Sequence, residues 1–80
     1  MISCQISYYP LRQTELNAGV HEVLDIIQAS GLPVEVGKMS TVVSGETAAV
    51  YRLLKELTEA MAAKGREFVL SMTVSTSCPL

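Results

Sequence analysis

Residues 2–9 alternate. Ile2, Cys4, Ile6 and Tyr8 fall on one side of an extended chain, and Ser3, Gln5, Ser7 and Tyr9 on the other. A period of two marks a strand with one apolar face and one polar face. Pro10 has no N–H to give to a sheet ladder and is expected to end this strand or lie just past it. Residues 66–75 echo the pattern, with Phe68, Leu70, Met72 and Val74 on one face and Val69, Ser71, Thr73 and Ser75 on the other. Between these two stretches the spacing turns helical. Leu16, Val20, Val23, Leu24 and Ile27 form one apolar stripe, capped at Thr14 or Asn17 and stopped at Gly31, with Pro33 just beyond. Val50, Leu53, Leu54, Leu57, Ala60 and Met61 form a clearer one. It opens at Gly45-Glu46-Thr47 with Ser44 or Gly45 as the cap, and closes at Gly65. Residues 33–38 alternate weakly and read as a short edge strand. Thr41-Val42-Val43-Ser44 is β-branched and reads as the second arm of a hairpin. In that arm, either Thr41 and Val43 or Val42 and Ser44 face the core.

The order is therefore β-α-β-β-α-β. Two helices with one apolar stripe each cover one face of a sheet, and parallel crossovers are right-handed. The pattern predicts an α+β fold: a ferredoxin-like βαββαβ sandwich, a four-stranded antiparallel sheet with both helices on one face. The first and third strands are expected at its centre and the last beside the first. Residues 1–77 are expected to form one domain, and 78–80 a flexible tail.

Composition narrows the function classes. At 80 residues and 49% hydrophobic, the chain can build one small core, at a size where a partner chain often completes the buried surface. Net charge is −2 with six Lys and Arg in all, so the cationic footprint of a nucleic-acid binder is missing. No apolar run reaches the ~20 residues of a membrane span, and no signal-peptide pattern opens the chain, so a cytoplasmic protein is expected. Cys4 and Cys78 are too far apart for a metal-site spacing, and His21 is the single histidine. Two reduced thiols and no metal are expected.

Candidate chemistry lies on the polar side of the sheet. The first strand would present Ser3, Gln5, Ser7 and Tyr9 there, and the neighbouring last strand Ser71, Thr73 and Ser75. These are short neutral donors and acceptors on a rigid platform. A sheet face turned only to water usually carries Lys and Glu, and this one has almost none. Small side chains also let a flat ligand or a second sheet approach closely, and Tyr9 could stack on a ring or a cation. Glu15 and Glu46 are the carboxylates nearest the strand ends, where helix N-termini also account for them. Catalysis is not expected. Arg12 in Pro10-Leu11-Arg12-Gln13 lacks the glycine-rich cradle of an acylphosphatase phosphate loop. No Ser-His-Asp set is legible, and a Cys-x-x-Cys loop is absent.

Several segments together carry a resemblance: Ser7-Tyr8-Tyr9-Pro10-Leu11, Ser30-Gly31-Leu32, Met39-Ser40-Thr41-Val42-Val43-Ser44-Gly45 and Met72-Thr73-Val74-Ser75. In order and spacing the chain resembles the YkoF-like family of thiamine- and hydroxymethylpyrimidine-binding domains and the small thiamine-binding proteins related to it. The resemblance implies a ferredoxin-like domain that binds thiamine or its pyrimidine half without catalysis. Some relatives carry two such domains in tandem, so a single domain implies a homodimer or homotetramer. Many related single-domain proteins have Glu where this chain has Ser44. Face geometry and motif position together nominate Gln5, Ser7, Tyr9, Thr41, Ser71, Thr73 and Ser75 as ligand-binding residues. The alternative is an oligomeric structural or regulatory module whose hydroxyl face only packs on its twin.

Overall fold

A computed structural model describes residues 1–11, 16–37 and 40–77. Six elements follow in chain order: β1 (Ile2–Leu11), α1 (Leu16–Ala29), β2 (Val34–Val36), β3 (Thr41–Gly45), α2 (Thr47–Ala63) and β4 (Glu67–Ser75). The strands form one sheet in the order β2-β3-β1-β4, and every neighbouring pair is antiparallel. This is the expected ferredoxin-like sandwich, with β1 and β3 central.

Its core lies between the helices and β1 and β3. Ile2, Cys4 and Ile6 from β1, Val43 from β3, Val23 and Ile27 from α1, and Val50, Leu53, Leu54, Leu57 and Met61 from α2 are all buried. Tyr8 and Phe68 pack at its margin with ring centroids 5.7 Å apart. Burial of Val43 and Thr41 settles the facing of β3: these two point to the helices, and Val42 and Ser44 point to the open face. Cys4 has no exposed surface, and burial pushes its thiol pKa up. In a Cys78→Ser background, Cys4 is expected to resist a thiol reagent at pH 8 until denaturant is added; rapid labelling of the native protein would contradict its place in the core. Cys78 and the expected tail lie outside the described residues.

Four local expectations are corrected. Pro10 does not end β1, which runs to Leu11. Among the described residues the strand past Ile6 pairs with β4 alone, the setting in which a strand accommodates a residue without an N–H. The cap of α2 is Glu46, without a side-chain cap hydrogen bond. Ser44 and Gly45 are held instead in the sheet opposite Ser3 and Ile2. The last strand begins at Glu67, one residue late. Arg66 belongs to the helix stop: Gly65 at φ 74° lets its N–H reach Ala62 O and the Arg66 N–H reach Met61 O, a Schellman motif. Of the two expected caps of α1, Thr14 lies outside the described residues, and Asn17 is not a cap because the helix already begins at Leu16.

Around that stop, Lys64 and Arg66 both reach Glu22 of α1, Lys64 Nζ at 2.9 Å. These hydrogen bonds, Lys64's first, hold the Glu22 carboxyl below the usual range. A lowered folded-state pKa stabilises the fold above the unfolded value of about 4.3, and the effect disappears as pH falls through the folded value. Glu22→Gln should therefore melt below the wild type at pH 7. The gap should close as pH drops below about 4. Melting curves across pH check this; a gap that persists in acid would assign Glu22 a role other than its charge.

Candidate functional site

Cross-strand register brings the polar residues into rows on the face away from the helices. Ser44, Ser3 and Ser75 lie side by side, followed by Glu35, Val42, Gln5 and Thr73. Ser7 pairs with Ser71 and Tyr9 with Val69 in the rows beyond. Ser3 Oγ is 3.2 Å from Ser44 Oγ, and the Gln5 amide donates to Ser40 Oγ at 3.0 Å. Six of the seven nominated residues, Gln5, Ser7, Tyr9, Ser71, Thr73 and Ser75, thus share this face. Thr41 does not: it is buried on the helix side. Glu46 sits beyond Gly45, at the Ile2 end of the sheet. Two described carboxylates share the open face, Glu35 on β2 and Glu67 at the start of β4; the alternation of residues 33–38 alone left the place of Glu35 undecided.

The two faces meet at a notch, and strand length produces it. β1 has ten residues and β3 five, so among the described residues the flank of β1 past Ile6 pairs with none of β3. Antiparallel pairing decides which groups of that flank face the β3 side. Gly37 N–H donates to Ser40 O at 2.8 Å, and Ser44 N–H to Pro33 O at 3.1 Å. These residues therefore bond across β2–β3, which leaves Thr41 and Val43 to bond with β1 at Ile6 and Cys4. Alternation along β1 then turns the backbone N–H and C=O of Tyr8 toward the β3 side, together with Pro10, which has no N–H to offer there.

Beside this flank is a cleft of about 200 Å³. Ile6, Ser7 and Tyr8 form its sheet wall. Val36, Gly37, Ser40 and Thr41 of the hairpin form a second, and Val20, Val23, Leu24 and Ile27 of α1 the third. The α1 stripe is thus divided: Val23 and Ile27 are buried in the core, and Val20 is 38% exposed at the cleft. Most of the lining is apolar, and Ser7, Tyr8, Ser40 and Thr41 are the hydroxyl-bearing residues among it. The Tyr8 hydroxyl is buried and has no hydrogen-bond partner among the described residues. Apolar walls with a few convergent donors and acceptors are what a flat, polar-edged small molecule requires. Thr41 and Ser7 are the nominated residues that reach the cleft. Sequence reasoning assigned Tyr8 to the core and passed over Ser40 and Gly37. The unequal lengths of the first and third extended runs were the available signal.

Among the described residues no group of three His, Cys, Asp or Glu side chains is placed to hold a metal ion. No helix among them is long and apolar enough to cross a membrane.

Comparison with known proteins adds a family to this geometry. None of the curated proteins matches the sequence. Solved structures do. A Thermotoga maritima protein provisionally assigned to thiamine biosynthesis or salvage superposes with a TM-score of 0.85 at 23% identity, over 95% of this chain and 83% of its own. A Streptococcus pneumoniae protein gives 0.86 at 22% identity, over 95% and 86%. A Bacillus cereus domain of unknown function gives 0.81 at 23%, over 95% and 75%. At these identities the structures establish the fold. The family model for thiamine-binding proteins matches residues 4–77, from the buried Cys4 to the end of the described chain, and on that match the chain belongs to the thiamine-binding protein family.

Proposed function

We propose that this chain binds thiamine or its hydroxymethylpyrimidine half, without chemical conversion, for uptake, salvage or buffering. The pyrimidine enters the notch beside Tyr8. An aminopyrimidine needs acceptors for its amine and donors for its ring nitrogens. The Tyr8 backbone C=O and N–H supply one of each, and the hydroxyls of Ser7, Ser40 and Thr41 supply either. Val20, Leu24 and Ile27 sandwich the ring from α1. The thiazolium half then lies outside, on the hydroxyl platform over Ser7, Gln5 and Tyr9, with Ser71, Thr73 and Ser75 beyond. Its positive charge favours the side where Glu35 stands, on a chain of net charge −2. A second copy over this face would dry the platform and complete a homodimer or homotetramer.

The observation that carries this reading is the cleft between α1, the β2–β3 hairpin and the Ile6–Tyr8 stretch of β1, where among the described residues β1 past Ile6 pairs with β4 alone. Thermal unfolding with and without ligand tests it. At a hundredfold excess over Kd, a ligand specific for the native state adds about 2.7 kcal/mol, a rise of roughly 10–20 °C in Tm for a domain of this size. Both thiamine and hydroxymethylpyrimidine should produce a rise. If neither does, the structural or regulatory module replaces this proposal.

A further inference from the structure

We infer that β4 pairs edge to edge with β4 of a second copy of this chain, antiparallel and centred on Ser71, so that two sheets join into one. β4 is an outer strand nine residues long. The alternation derived above turns the backbone groups of Ser71, Thr73 and their odd-numbered neighbours toward β1. Those of Phe68, Leu70, Met72 and Val74 therefore point outward, and no described strand pairs with them. The helices lie over β1 and β3 and leave the outer strand largely bare: Met72 is 44% exposed and Val74 39%, both on the helix side.

Exposed edges are usually blunted by brevity, charge or proline. The opposite edge, β2, has three residues and carries the exposed Glu35. Along β4 the single charge is Glu67, at one end. That charge pattern favours a second copy over an unrelated strand. Antiparallel pairing about Ser71 sets Glu67 against Ser75 of the other copy, so the two carboxylates sit at opposite ends of the ladder. Leu70 then faces Met72 of the second copy and Phe68 faces Val74, all on the helix side, which covers the apolar surface that one chain leaves exposed. On the other side, Ser71 meets its own counterpart, and the hydroxyl platform continues from one chain into the next. The pairing needs no ligand, so its test stands apart from the thiamine reading.

Register can be read by cross-linking. At the twofold, Ser71 and its counterpart form a non-hydrogen-bonded pair, with Cα atoms about 4.5 Å apart, inside the span a disulfide accepts. In a Cys78→Ser background, where the remaining native thiol is the buried Cys4, oxidised Ser71→Cys should run as a covalent dimer on a non-reducing gel. Val69→Cys alone should not, because the two copies of residue 69 would lie about 14 Å apart along the ladder. Mixing Val69→Cys with Thr73→Cys should restore the cross-link. Light scattering on the uncrosslinked protein should give at least twice the chain mass. Equal cross-linking by Ser71→Cys and Val69→Cys would reveal random collision and overturn the register. A monomer by scattering, or a dimer in which Ser71→Cys never cross-links, would overturn the edge pairing itself.

Discussion

A Ser7→Leu, Ser40→Leu double variant should bind neither thiamine nor hydroxymethylpyrimidine while still folding. Both residues line the notch. The change removes two hydroxyls, each worth about 0.5–1.5 kcal/mol as a hydrogen-bond partner, and fills the space they leave. Affinity should fall by roughly a hundredfold or more. The fold should tolerate the pair. Neither side chain belongs to the buried core, and the hydrogen bond from Gln5 to Ser40 that is lost is exposed. Calorimetric titration checks the loss, and circular dichroism checks the fold. A second pair separates notch from platform. Ser71→Leu with Thr73→Leu crowds the far side of β1, where only the thiazolium half would reach. It should weaken thiamine and leave hydroxymethylpyrimidine bound. Loss of both ligands there, with binding intact in the Ser7 and Ser40 pair, would move the site onto the open face.

Leu57→Ala should cause the largest loss of stability among single changes considered for this chain. Leu57 is fully buried on α2, among the side chains that join the helix to the sheet. Truncating a buried leucine costs about 2–5 kcal/mol, more where the surroundings cannot collapse. Small domains hold about 5–15 kcal/mol in total, and Tm should drop by roughly 10–30 °C. Tyr51→Ala on the same helix is the contrast, because Tyr51 is 52% exposed and its loss should fall within the small range of surface changes. Denaturant unfolding of the two variants side by side checks both. Equal losses would mean that α2 does not pack by the face assigned to it.

Much of the architecture was legible because each element carries its own period. Alternation at residues 2–9 and 68–75 and the stripe from Val50 to Met61 each specify one face, and the observed core follows them. What the sequence left undecided depended on pairing rather than on period. Thr41-Val42-Val43-Ser44 has no strong alternation, so its facing waited for the register with β1. Pro10 reads as a terminator when only its own backbone is considered. In the sheet it lies where, among the described residues, β1 pairs with β4 alone, and the strand continues. The Ser44 cap fails for a related reason: the sheet uses that residue first.

The same distinction governs the site. The shared face of Ser7, Tyr9, Ser71 and Thr73 was readable from parity. The notch was not, because it arises from the difference in length between β1 and β3 and from the turn that places Gly37 opposite Ser40. Tyr8 shows the limit most clearly. Its side chain follows the apolar face of β1, as its position demands, while its backbone faces the β3 side, where among the described residues β3 no longer pairs with it.

Amide NMR during a titration with hydroxymethylpyrimidine addresses the site itself. The Tyr8 amide should move furthest, with Ser7, Gly37 and Thr41 following it, and the Ser3 and Ser75 end of the sheet should stay in place. A spectrum in which Tyr8 holds still while Ser3, Ser44 and Ser75 shift would contradict the notch as the pyrimidine's seat.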